Sequence, residues 1–227
     1  RQHERGLAVV DLAETEAAVA HQGHRAGFQV CVHANGDRVI EIALEGFEKA
    51  QEEFPRKDPR HRLEHCTVVT PEILKRIRKN RILVTPFGSY IHYHGEKMIP
   101  CYGEKRVEMM FAHRSFLDYG IAVSGASDSP CGPYQPLLAI QSCVTRRSAD
   151  GQLLGARQRI SVEEAIRLYT VASAYASFEE NLKGSITPGK LADLVVLGED
   201  PRKVDPGEIK DIPVEMTLVG GEIKHGV

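Results

Sequence analysis

Short β-branched apolar runs alternate along this chain with stretches whose apolar residues recur every three or four positions, the pattern of parallel α/β structure. A helix is predicted from about Asp11 to Ala26, closed by Gly27, and a strand over residues 28–33. Asn35-Gly36-Asp37 marks a sharp turn, with Asp37 placed to cap the next helix. That helix sets Val39, Ile40, Ala43, Leu44 and Phe47 on one face and ends before Phe54-Pro-Arg-Lys-Asp-Pro59. A second unit pairs a strand over 62–65 with a helix opened by Thr70-Pro71; proline suits a first helical position because its missing N–H would have had no partner there. Residues 81–85 read as a third strand, stopped by Pro86. Residues 87–104 read as a long loop of the kind that carries function or is disordered. A helix over about 105–118 then leads through Gly120 into a fourth strand over 121–124.

Ser161-Val-Glu-Glu164 is a capping box ahead of a helix reaching Ala176. After Gly184 the pattern turns to β: a strand over 192–197, then a hairpin of 214–219 and 222–224 joined by Gly220-Gly221. Four βα units cannot close an eight-stranded barrel. An open half would leave two strand edges to be covered by further chain or by a second copy.

Composition narrows the function. With 42% apolar and 26% charged residues the chain fits a globular fold with a sizeable core. A net charge of -2 with mixed signs and no basic stripe argues against a nucleic-acid partner. The longest apolar runs are strand length, short of a membrane span, and the first residues lack the apolar core of a signal peptide. The five cysteines are odd in number and form no CxxC, which points to reduced thiols in a cytoplasmic setting.

Three groups with metal chemistry stand at the C-terminal ends of expected parallel strands: His33, His65 and, just past the fourth strand, Asp128. Active sites of (β/α) barrels gather at that end. Two imidazoles and a carboxylate suit zinc or a similar divalent ion. Such an ion brings its bound water near neutral pKa, and a carboxylate such as Asp128 can carry the proton to a leaving nitrogen. His92-Tyr-His94 is a second candidate: in an extended segment residues two apart share a side, which leaves a metal-dependent phosphoesterase as a lower-ranked alternative. The preferred reading of His92 and His94 is substrate-facing, with Tyr90 and Arg106 also bordering the substrate. Arg62 and Glu64 read as an ion pair supporting His65.

Four segments carry a family resemblance. Val32-His-Ala-Asn-Gly-Asp-Arg38 resembles the strand-five motif of the amidohydrolase superfamily, in the branch called amidohydrolase family 3. Arg60-His-Arg-Leu-Glu-His65 resembles the strand-six motif, residues 114–130 the strand-eight region, and residues 184–197 the C-terminal β-sandwich segment. The resemblance implies strands 5–8 of a (β/α)8 TIM barrel over residues 1–183, and part of a β-sandwich over 184–227. It implies His33 and His65 as metal ligands, and Asp128 as ligand and proton shuttle. The cofactor would be one or two divalent ions, with zinc the leading choice. The reaction would be hydrolysis of C–N bonds in amides, cyclic amides or N-acyl and N-formyl compounds. The family's strand-one His-x-His and strand-four ligand have no counterpart here; His3, His21 and His24 match nothing in the pattern. The expectation is therefore an incomplete site with weak or no activity alone, its partner the other half of the barrel. The non-catalytic alternative is a half-barrel that self-associates.

Overall fold

The computed structural model describes residues 13–226. The expected helix start at Asp11, and His3, lie outside them. In chain order the elements are α1 (Ala13–Arg25), β1 (Cys31–Ala34), α2 (Asp37–Glu53), β2 (Arg62–His65), α3 (Pro71–Lys79), β3 (Leu83–Thr85), α4 (Tyr90–Tyr102), α5 (Glu104–Val107), α6 (His113–Asp118), α7 (Pro136–Thr145), α8 (Val162–Leu168), α9 (Val171–Ala176), β4 (Leu194–Leu197), β5 (Val214–Val219) and β6 (Glu222–His225). They form two compact units. One holds the chain up to Pro86 together with Met109–Val123; the other holds Phe87–Glu108 and Ser124 onward.

In the first unit β1, β2 and β3 form a parallel sheet in that order, with Cys31 opposite Arg62, His33 opposite Glu64, and Glu64 opposite Thr85. Helical spacing on α2 buries Ile40, Ala43, Leu44, Phe47 and Ala50, each side chain of leucine size contributing about 1.5–3 kcal/mol. Gly46 lets α1 approach closely, since a Cβ there would stand 2.8 Å from the Ala17 backbone. Gly36, not Asp37, occupies the N-cap of α2; Asp37 is already helical and accepts from the Arg38 N–H. Thr70 caps α3 as expected, accepting from the Ile73 N–H with Pro71 in the first turn. The expected fourth strand is reduced to one parallel bridge, Val84 with Val123, supported by Val84 N–H donating to Ala122 O at 3.0 Å.

A buried imidazole chain ties α1 to this sheet. The Val30 N–H donates to His61 Nδ1 at 2.9 Å, so the His61 proton sits on Nε2. Nε2 donates to His24 Nδ1 at 2.8 Å, and His24 Nε2 donates to Phe54 O at 2.6 Å. Phe47 stacks on His61, and Arg56 binds the carbonyls of His24, Gly27 and Phe28 beside it. Burial, then the His24 and Arg56 charges, push His61 down to about 3 from an ordinary 6.5. Between those values the unfolded chain holds the extra proton, so stability is whole above about pH 6.5 and is lost as pH falls toward 3. The full loss is on the order of 5 kcal/mol, of which roughly 3 kcal/mol has occurred by pH 4.5. Urea titrations at pH 7.5 and 4.5 are expected to show it, with a shallower acid loss in His61→Gln; equal slopes in the two proteins would contradict the assignment.

In the second unit the expected long loop is largely the helix α4, and the expected single helix over 105–118 is broken: α5 ends at Val107, and α6 begins only at His113, in the first unit. Phe111, at φ 49, sits in the break. The helix expected up to Ala176 likewise divides into α8 and α9 at Tyr169 and Thr170. Its capping box is intact, with Ser161 and Glu164 each bonded to the other's backbone. Strands β4, β5 and β6 form an antiparallel sheet, and the two-residue turn has Gly220 and Gly221 at φ +60 and +85, the left-handed pair that a hairpin of this length demands. Among the described residues no helix is long and apolar enough to cross a membrane. All five cysteines are free thiols.

Candidate functional site

Two adjacent parallel strands carry the imidazole pair. His33 is the third residue of β1 and His65 the last of β2. Strand alternation alone would put His65 opposite Ala34, on the face away from His33. The backbone departs from extended geometry at that point: His65 has φ 67 and Cys66 φ 46. A left-handed non-glycine residue costs about 1–2 kcal/mol. The turn brings His65 Nε2 to 3.0 Å from His33 Nδ1, ring edge to ring face with centroids 4.3 Å apart. Cys66 N–H locks it by donating to Ala34 O at 3.0 Å, and Thr67 Oγ1 donates to Asn35 Oδ1 at 2.6 Å just beyond. His65 is buried and His33 is exposed, so the pair has one supported and one open member.

The expected Arg62–Glu64 ion pair is present at 2.9 Å, on the same face as His33. Glu64 also holds the Cys31 thiol, which burial pushes up to about 11 against the opposing Arg62 charge. Cys31 therefore stays a protonated thiol at neutral pH and is a poor nucleophile.

Asp128 lies in the second unit, in the left-handed region at φ 53. The Tyr90 hydroxyl donates to its Oδ2. Burial first, then that carboxylate, push the Tyr90 phenol well above its ordinary value. His94, one helical turn on, lies edge-on to Tyr90 at 4.9 Å and to Tyr93 at 4.7 Å. The His-x-His does not run in an extended segment. On α4 residues two apart are about 200° apart around the axis. His94 packs with the tyrosines, while the backbone of His92 binds Ser142 Oγ and the Ala149 N–H. Arg106 is exposed on α5. Ser89, unremarked in the sequence, is fully buried next to Tyr90, and its Oγ has no hydrogen-bond partner among the described residues. His24 and His61 also escaped notice as a pair, because nothing in a sequence marks two histidines 37 residues apart as neighbours.

The imidazole pair fits a divalent ion. Two ligand nitrogens on a tetrahedral zinc stand about 3.3 Å apart, a few tenths from the 3.0 Å seen here. Among the described residues no three His, Cys, Asp or Glu side chains gather in one metal-holding group.

The model of the amidohydrolase family matches residues 3–225. The chain belongs to the amidohydrolase family. The family assignment read from the four motifs is thus correct. This amidohydrolase-family chain is 33% identical to YtcJ of Bacillus subtilis (strain 168) over 93% of its own length and 40% of that protein's. It is 31% identical to the N-substituted formamide deformylase of Arthrobacter pascens, over 91% of this chain and 38% of that protein. Among solved structures it resembles an uncharacterized metal-dependent hydrolase from Pyrococcus furiosus, with TM-score 0.70 and 27% identity over 86% of this chain and 39% of the other. The chain thus spans about two fifths of the length of these relatives.

Proposed function

We propose that this chain serves metal-dependent hydrolysis of C–N bonds in small amides, with N-formyl and N-acyl amines as the substrate class. The observation that carries the reading is the strained turn at His65, which costs backbone energy and serves to aim one imidazole at another. His33 and His65 hold the divalent ion, with zinc the choice that suits two imidazoles. When bound, such an ion supplies a hydroxide-like water at neutral pH. Asp128 takes the proton of the attacking water and returns it to the leaving nitrogen as the C–N bond breaks. The likeness to a formamide deformylase supports the N-formyl substrates.

The zinc-loaded chain is expected to release formate from N-formyl amines at a weak rate that a chelator removes. Asp128→Asn is expected to lower that rate at least 100-fold with an unchanged melting profile. A folded chain that takes up no zinc, or hydrolysis indifferent to chelator, would overturn the reading.

A further inference from the structure

We propose that Tyr90 is a positioning residue for Asp128: its hydroxyl binds Oδ2 and leaves Oδ1 as the oxygen available for proton transfer. The inference rests on the role proposed above for Asp128. The bond itself is between two side chains of the second unit, 38 residues apart in sequence. Both of its ends are held. The Tyr90 ring is braced by Phe87, edge-on at 5.5 Å, and by His94 at 4.9 Å. Its third neighbour is Gly132, where a Cβ would stand 3.1 Å from Tyr90 Cε1 and 3.0 Å from Ser127 O, so a side chain there would crowd the ring. Asp128 is fixed through its backbone, whose carbonyl accepts from the N–H groups of Cys131 at 2.7 Å and Gly132 at 3.3 Å. A carboxylate on a flexible loop would rotate and present either oxygen. A carboxylate with one oxygen bonded to a braced phenol presents the other in one orientation, and holding a reacting group in geometry is a large part of catalysis.

The test uses the whole chain and the variants Tyr90→Phe, Asp128→Asn and Tyr93→Phe, the last a control because Tyr93 is 54% exposed. Tyr90→Phe keeps the braced ring and removes only the hydroxyl. In metal-free chain labelled with 13C at aspartate carboxyls, the Asp128 signal is the one that Asp128→Asn removes. It is expected to move in Tyr90→Phe and to stay in place in Tyr93→Phe. With zinc added, Tyr90→Phe is expected to lower kcat for N-formyl amines about 10-fold, with KM within about twofold, the signature of a lost charged hydrogen bond that acts in the transition state. An Asp128 signal identical in wild type and Tyr90→Phe would overturn the proposal. So would an unchanged kcat in Tyr90→Phe where Asp128→Asn abolishes turnover. Chelator-sensitive hydrolysis that survives Asp128→Asn would instead refute the role given to Asp128, while the carboxyl signal still reports on the bond.

Discussion

Replacing His65 with alanine is expected to weaken zinc binding about 100-fold. A structural zinc site yields roughly 10–16 kcal/mol over four ligands, so one imidazole accounts for about 3 kcal/mol, which is about two decades in affinity. His33→Ala is expected to cost a similar amount of direct ligation. The two variants differ in folding. His65 is buried and its backbone is in the left-handed region, so alanine there leaves the strain with no ring to aim. His33 is exposed, and its removal leaves the packing alone. His65→Gly separates the effects, because glycine accepts φ 67 without steric cost and restores stability without restoring affinity. Isothermal titration with zinc, beside urea unfolding of the metal-free chain, checks all three. Zinc affinity unchanged in both alanine variants would mean that the imidazole pair is not the metal's seat.

Arg146→Ala is expected to be the most destabilising substitution in the second unit, at about 3–5 kcal/mol. Arg146 is 0% exposed at the C-terminus of α7, itself left-handed at φ 56. Its Nε donates to Leu154 O at 2.9 Å, while its backbone carbonyl accepts from Leu154 N–H at 2.9 Å. Gly155 is packed against the guanidinium so closely that a Cβ would stand 2.7 Å from it. Burial lowers this arginine to about 10, against the helping charge of Glu108, and it stays charged at neutral pH. Truncation would take this donor from the Leu154 carbonyl and leave a large void. For a chain of this size the loss corresponds to about 6–20 °C in Tm. The neighbouring Arg147 is exposed and its guanidinium donates to Gly151 O at 2.7 Å, so Arg147→Ala is expected to change stability by less than about 0.5 kcal/mol. Equal melting temperatures for the two variants would show that the buried guanidinium does not anchor this turn.

Much of the local structure was legible in the sequence because it depends on nearest neighbours. The run 62–65 is a strand, Thr70-Pro71 starts a helix, Ser161 and Glu164 form their box, and Gly220-Gly221 makes the hairpin turn. The family was legible for the same reason, since its motifs are short and ordered along the chain. Misreadings fell where tertiary packing overrides local preference. The stretch from Phe87, rich in glycine and aromatic residues, reads as a loop; yet residues 90–102 are helical, burying Ile91, Gly95 and Met98, with Gly95 packed against Ser148 and Leu154. That helix is what removes His92 and His94 from a shared side.

The sequence by itself determined where the imidazole and carboxylate side chains lie along the chain, and that His33 and His65 stand at or near the ends of strands. Side-chain type and element period are local properties, and they survive without a third dimension. Only the tertiary structure decided that His65 turns out of its strand toward His33, that the hydroxyl of Tyr90 is directed to Asp128, and that His24 and His61 share a buried proton chain. Each of these depends on a backbone angle or a partner more than 30 residues away. The energy that selects such contacts comes from packing the whole unit, which no window of sequence contains.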